Sequence, residues 1–274
     1  MARRLSMEVG ALSDIGCVRE SNEDAYGLAP ELNLFLVSDG MGGLAFGEVA
    51  SRLAVDTVLD NCRRANTGGT FPHNGEATQG VSEVSNRLAS AVRAANETVH
   101  RAAVENGAGQ QMGATVVAVQ FSAEIMSLAH VGDSRAYRLR AGALEQLTHD
   151  HSFVAEQMRR GRMTPHEAGC STLQNILVRA LGIEPAVEVD VSEELFMEGD
   201  TVLLCSDGLT RELSDMQIAA VLSENADVQK TAGRLVDLAK QAGGGDNITA
   251  IVLRHAPRSA GAFAWIRKWF RSDA

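Results

Sequence analysis

The stretch DAYGLAPELNLFLVSDGMGG, residues 24–43, decides the reading of this chain. AYGL (25–28) and LFLV (34–37) have strand character, and APELN between them carries Pro30 and Asn33 as turn formers. Joined there, the two runs make a β-hairpin centred near Glu31 and Leu32. The centring leaves Asp24 and Asp39 almost equally far from the turn, so they face each other across the strands. Like charges directly opposite destabilise a strand pair, and a bound cation is the natural compensation. Beyond Asp39 the chain gives up side chains, with Gly40, Gly42 and Gly43 around Met41. The apolar strand holds Asp39 rigidly, and the glycines let backbone crowd around an ion and a substrate.

Outward from the hairpin, residues 7–17 read as a short strand. Ala50, Leu53, Ala54, Val58 and Leu59 recur at helical spacing between Gly47 and Arg64. A polar, glycine-rich loop over 65–80 separates them from a long amphipathic helix marked by Val84, Leu88, Ala91, Val92, Ala95, Val99 and Ala102. Strand-like runs follow at 114–121, 125–131, 135–140 and 144–148. Residues 149–182 change character, with short helical pieces, several charges, Gly161 and Pro165, and are expected to form a flap over the core. The strand TVLLCSD (201–207), a helix opened by a Ser214/Gln217 capping box, a helix from about Asp227 to Ala242 and the strand NITAIVLR (247–254) complete the domain. Helices covering antiparallel sheets make an α+β layered fold.

The chain has 274 residues, 45% of them apolar but only 4% aromatic, so the core must be built from aliphatic side chains and methionine. Its net charge of −10 argues against a nucleic-acid binder and suits a soluble protein or one that gathers divalent cations. Cys17, Cys62, Cys170 and Cys205 have neither metal-ligand spacing nor a disulfide pattern, so reduced thiols in a cytoplasmic protein are expected. The N-terminus lacks a signal-peptide apolar run, and no stretch is apolar for long enough to span a membrane.

Asp39, Asp207 and Asp246 share one design: a strand-like run, a carboxylate at its end, and glycine beside it. Asp133 in AHVGDSR repeats the theme at a tight turn, and Glu23 with Asp24 opens the hairpin. One Asp-Gly pair is an ordinary turn; this many point to an oxygen-only site for a hard cation such as Mg²⁺ or Mn²⁺. An EF-hand loop and a P-loop are both absent from the sequence.

VRESNEDA (18–25), LVSDGMGG (36–43), MGATVV (112–117), HVGDSRAY (130–137), LLCSDGLT (203–210) and GGGDNITAIVL (243–253) occur in an order that resembles the metal-dependent PP2C-type (PPM) protein serine/threonine phosphatases of bacteria. The resemblance covers residues 7–255 as the phosphatase domain. It implies a four-layer α-β-β-α fold, a central antiparallel β-sandwich flanked by helix pairs. It implies that Asp39 bridges two Mn²⁺ or Mg²⁺ ions, that Asp207 and Asp246 complete one site, and that Asp24 and the Gly40 carbonyl serve the other with Glu23 as neighbour or alternative ligand. Asp133 with Asp207 would hold a weaker third ion, and Arg19 would bind the substrate phosphate.

Such a centre would hydrolyse phosphoserine and phosphothreonine by attack of a metal-bridging water, with no phosphoenzyme. Met41 departs from eukaryotic relatives, which place a proposed general-acid histidine there, so the leaving oxygen would be protonated by water on a metal or by another group; His149 and His151 near the flap are to be tested for this, against their plainer reading as a solvated polar turn, and His130 is expected to be structural. The expected partners are phosphorylated proteins, with a Ser/Thr kinase as opponent and a monomer as the working state. Rival readings are a regulatory phosphatase with one dedicated partner and a catalytically dead binding module, against which the full ligand set argues. FAWIRKWFRS (263–272), within an amphipathic tail over 256–274, would place Phe263, Ile266, Trp269 and Phe270 on one helical face.

Overall fold

A computed structural model describes residues 7–42, 46–68, 75–107, 111–169, 171–224 and 226–255. The amphipathic tail (256–274), Gly43, Cys170 and part of the polar loop (69–74) lie outside them.

Strand β1 (Met7–Asp14) is followed by the hairpin of β2 (Asp24–Ala29) and β3 (Leu34–Met41). The turn between these is one 3₁₀ turn over Pro30–Leu32, closed by Asn33 in the left-handed region at φ 49°. Pro30 supplies the fixed φ at its start, and asparagine tolerates the left-handed exit. Helices α1 (Phe46–Asn66) and α2 (Glu83–Glu105) come next, then β4 (Gly113–Ala114), β5 (Val116–Ser122), β6 (Ile125–Val131), β7 (Arg135–Arg140) and β8 (Ala143–Gln146). The 149–182 stretch holds α3 (Phe153–Arg159) and α4 (Pro165–Gly169). The remaining elements are β9 (Asp190–Leu195), β10 (Thr201–Cys205), α5 (Asp207–Thr210), α6 (Asp215–Ser223), α7 (Val228–Ala242) and β11 (Ile248–His255). The Ser214/Gln217 capping box is present at the start of α6, and Asp227 caps α7.

Two antiparallel sheets result. One has the order β1-β11-β10-β7-β8; the other has β2-β3-β5-β6-β9, with β4 paired to β3. Their packing explains why the strands read as unbroken apolar runs. On β3, Leu34 and Leu36 face α1 and α2, while Phe35 and Val37 face the opposite sheet. On β10, Leu203 and Cys205 face α6 and α7, while Val202 and Leu204 join the layer between the sheets. Strands buried on both faces lose the usual alternation of apolar and polar residues. Three apolar layers follow, helix–sheet, sheet–sheet and sheet–helix, which is the expected four-layer architecture.

Strand β9 carries no signal of this kind. Its sequence, DVSEEL, lies at a sheet edge against β6, with its residues half-buried or exposed. Acidic side chains suit an edge, where they discourage further pairing, and they hide the strand from hydrophobic pattern.

Leu204 is fully buried in the inter-sheet layer with Phe35, Val117 and Ile251. Leu204→Ala is expected to cost about 3 kcal/mol of unfolding free energy by lost transfer energy and residual cavity. A denaturant midpoint unchanged by the substitution would contradict this packing.

Candidate metal centre

The ends of β3 and β10, the turn before β11 and the loop between β6 and β7 meet at one rim of the sandwich. Asp24 and Asp39 are directly opposed partners of the β2–β3 pair, as the turn position predicts. The end of β3 is pinned on several sides. Asp39 N–H donates to Thr115 Oγ1 (2.9 Å), Thr115 N–H donates back to the Asp39 carbonyl (2.8 Å), and Ser38 Oγ donates to the Thr115 carbonyl (2.6 Å). Thr115 Oγ1 also bonds Ser134 Oγ at 2.7 Å, tying β3 to the turn that carries Asp133.

Gly40 has no room for a side chain: a Cβ there would stand 2.0 Å from the Gly47 carbonyl oxygen and 2.7 Å from that of Glu23. At Gly47 a Cβ would meet Glu23 Oε2 at 2.1 Å. Two glycines thus let the Glu23 carboxylate, the β3 backbone and the first turn of α1 occupy one small volume. A carboxylate against a helix N-terminus is favourable in itself.

Asn247 organises the other side. Its Oδ1 accepts from Glu23 N–H (2.8 Å), and its Nδ2 donates to the Ile15 (3.0 Å) and Ser21 (2.9 Å) carbonyls. These bonds fold residues 15–23 across Asp246 and bring Arg19 to it. Arg19 Nε and Nη2 each lie 2.9 Å from an Asp246 oxygen. Arg211 reaches Asp246 Oδ2 at 3.1 Å and also pairs with Asp207.

Arg19, Glu23, Asp39, Gly40, Asp133, Asp207, Arg211 and Asp246 line one cleft of about 570 Å³. Asp24 lies behind it. Its Oδ2 accepts from Ser206 Oγ (2.7 Å) and Thr249 Oγ1 (2.6 Å), while its Oδ1 is buried with no hydrogen-bond partner. Asp207 Oδ1 is buried and unpartnered as well.

The electrostatics of this cluster are unfavourable as it stands. Burial, followed by Asp24, Asp207, Asp133 and Asp246, pushes the Asp39 carboxyl well above its ordinary range. Burial pushes Asp24 up to about 7 against the opposing help of the Thr249 and Ser206 hydroxyls. Burial and the nearby Asp207 and Asp150 push Asp133 up to about 7. Burial also raises Asp207, although Arg211 opposes it. Buried carboxylate oxygens without donors are rare in folded proteins and call for a partner. An oxygen-only donor set with two orphaned oxygens and a backbone cradle closed to any side chain fits a hard divalent cation.

Arg211 is the site residue that the sequence reading passed over. It follows Asp207 by four positions, and on α5 that spacing places both on one face; the signal was there. Thr115, Ser206, Thr249 and Asn247, which position the carboxylates, carry no such signal because their partners are distant in sequence.

Neither His149 nor His151 lines the carboxylate cleft; both line a separate cavity beneath the flap. His151 Nδ1 accepts from Gly132 N–H at 3.0 Å, its ring stacks on His130 with centroids 4.8 Å apart, and His130 Nε2 bonds the His149 carbonyl at 2.9 Å. Burial lowers His130 to about 4, so it stays neutral. With Asp190, these two histidines bring three ligand-type atoms within 4.8 Å of one another. Both His151 nitrogens are already engaged there, Nε2 lying 3.3 Å from Asp190 and 3.2 Å from Arg179.

Residues 18–241 match the family model described as Protein phosphatase 2C. The chain is 37% identical over 254 residues to the serine/threonine protein phosphatase PstP of Mycobacterium tuberculosis, covering 92% of this chain and 46% of that protein. It therefore spans about half the length of that relative. It is 34% identical to the serine/threonine phosphatase stp of Listeria monocytogenes, covering 88% of this chain and 93% of that one. Among solved structures, the catalytic domain of a PstP phosphatase in complex with two manganese ions superposes with a TM-score of 0.75 at 35% identity, covering 90% and 97% of the two chains. The chain belongs to the protein phosphatase 2C family, alongside the bacterial serine/threonine phosphatases PstP and stp.

Proposed function

We propose that this chain is a metal-dependent phosphatase of phosphoserine and phosphothreonine in proteins, opposing a Ser/Thr kinase. The observation that carries the proposal is the buried cluster of opposed carboxylates, with orphaned oxygens on Asp24 and Asp207, at a cleft that also holds two arginines. We take residues 7–255 as the catalytic domain and 149–182 as its flap.

Asp39 is the bridging ligand in this reading, with Asp207 and Asp246 completing one site. Gly40 offers its carbonyl to the other, together with Glu23, whose carboxylate lines the cleft, and Asp24, whose Oδ1 is free of other partners. Asp133 with Asp207 is the candidate for a weaker third ion. When bound, Mn²⁺ or Mg²⁺ ions would lower the pKa of a water and neutralise charge on the phosphoryl group.

The residues of the chain do the remaining work. Arg19 and Arg211 place positive charge over the cleft, and a guanidinium fork matches two phosphate oxygens. Arg19 here gives its fork to Asp246; it is expected to turn toward phosphate once Asp246 takes up a cation. Thr115 and Asn247 hold Asp39 and Glu23 at fixed positions through their backbones. With no histidine lining the cleft among the described residues, the leaving oxygen takes its proton from solvent in this reading. Among the described residues no helix is long and apolar enough to cross a membrane.

Release of phosphate from a phosphothreonine peptide tests the proposal. The full chain is expected to hydrolyse it with millimolar Mn²⁺ and to stop in EDTA. Folded protein that releases no phosphate under any metal would favour a binding module instead.

A further inference from the structure

Met41 cannot donate a proton, and the carboxylate cluster leaves its side chain without a role. That side chain forms a wall shared by two adjoining cavities. With Leu177 it lines both the carboxylate cleft and a neighbouring groove of about 360 Å³. Val178, Ala180, Ile183, Ala186 and Val187 supply the rest of the apolar lining.

The groove is built into the fold. A Cβ at residue 113 would stand 2.6 Å from Met41 Cε, 2.9 Å from the Leu181 carbonyl oxygen and 3.0 Å from Ile183 Cδ1, so the bare Gly113 backbone lets these groups close in. The two side chains therefore converge over the Gly113 backbone. Alongside, Ala114 and Leu181 exchange backbone hydrogen bonds of 3.1 and 2.8 Å, fixing the 177–188 segment against the sheet. Ile183 and Val187 are only half-buried and Ala186 is exposed, so the lining offers apolar surface that the described residues do not cover.

We infer that this groove seats an apolar side chain of the phosphoprotein substrate, within about three residues of the phosphorylated Ser or Thr. The inference rests on the phosphatase reading above and adds a substrate class to it. Its occupant is the substrate because the groove continues the cleft through Met41 and Leu177. Met41 follows Asp39 by two residues, so their Cα atoms lie within about 7.6 Å. An extended peptide advances about 3.3 Å per residue, which sets the spacing from the phosphate. Methionine is flexible and polarizable, and adapts to apolar side chains of differing shape. At the rim, Glu184 is exposed and Glu188 pairs with Arg179 at 3.2 Å. Arg179 lines the groove as well, but Glu188 and Asp190 already engage its guanidinium, so a substrate carboxylate at this position would meet uncompensated like charge from Glu184.

The test is a set of phosphothreonine peptides in which Leu, Ala or Glu is walked through the three positions on either side of the phosphoresidue. The full chain with Mn²⁺ is expected to prefer Leu over Ala at one position by about tenfold in kcat/KM, with Glu poorest there. Ile183→Ser and Met41→Ala are each expected to bring the Leu/Ala ratio close to one; the ratio cancels any general loss of rate. A flat ratio at every position in the wild type, or a preference that survives both substitutions, overturns the inference. If folded protein hydrolyses none of the peptides, the phosphatase reading fails separately. The groove is then judged by peptide Kd on Asp39→Asn protein, where the same Leu preference supports it and a flat series overturns it.

Discussion

Asp39→Asn is expected to abolish phosphate release from a phosphothreonine peptide while making the metal-free protein harder to melt. Both effects come from one carboxylate. Asp39 sits at the end of a rigid strand, opposite Asp24 and beside Asp133, Asp207 and Asp246. In the proposed role of bridging ligand it would act on both ions at once, so its loss is expected to lower the rate by about 10³-fold or more, at the upper end of what one electrostatic stabiliser supplies. Without metal the same group is a liability, since burial and four neighbouring carboxylates oppose its charge. Asparagine keeps the shape and removes the charge. In EDTA at pH 8 the variant should melt above the wild type. A variant retaining activity within tenfold of the wild type would show that Asp39 does not bridge.

The second large effect is a metal-dependent gain in stability that grows with pH. Asp24 and Asp133, at about 7, hold protons in the native state that an unfolded chain with an ordinary value of 3.8 has already released. Between those values the native state binds more protons than the unfolded one, so metal-free stability falls as pH rises. For these two groups the loss runs up through about pH 7. Cations reverse it by taking the place of the protons, and they compete best where the carboxylates are already ionised. A ligand at a hundredfold excess over its Kd stabilises by about 2.7 kcal/mol. For a chain of this length that is a rise of about 5–10 °C in melting temperature. The expected result is a rise of that size with millimolar Mn²⁺ at pH 8 and a much smaller one at pH 5.5. Equal shifts at both pH values would point to a cation bound elsewhere, and no shift at pH 8 would leave the cluster without its metal.

The hairpin was legible because two residues decide it. Pro30 and Asn33 fix the turn, and counting outward from it puts Asp24 against Asp39, as the strand register has it. The capping box at Ser214 was legible for the same local reason. Strand β9 was not, because an acidic edge strand has neither apolar run nor alternation. Asp207 and Asp246 could be found from their own neighbours in sequence. The groups that hold the site together could not: Thr115, Ser206, Asn247 and Thr249 act on residues 76 to 225 positions away, and only the folded chain brings them together. Met41 was legible as a departure from relatives with histidine, but its place in a second cavity depends on Leu177 and Ile183, about 140 positions away in sequence.

The most direct measurement is a calorimetric titration of Mn²⁺ into the metal-free full chain at pH 8, for the wild type, Asp39→Asn and Asp246→Asn. A two-metal centre bridged by Asp39 predicts at least two ions per wild-type chain, loss of one with Asp246→Asn, and loss of both with Asp39→Asn. Binding of one ion or none by folded wild type, or binding that survives Asp39→Asn unchanged, would contradict it.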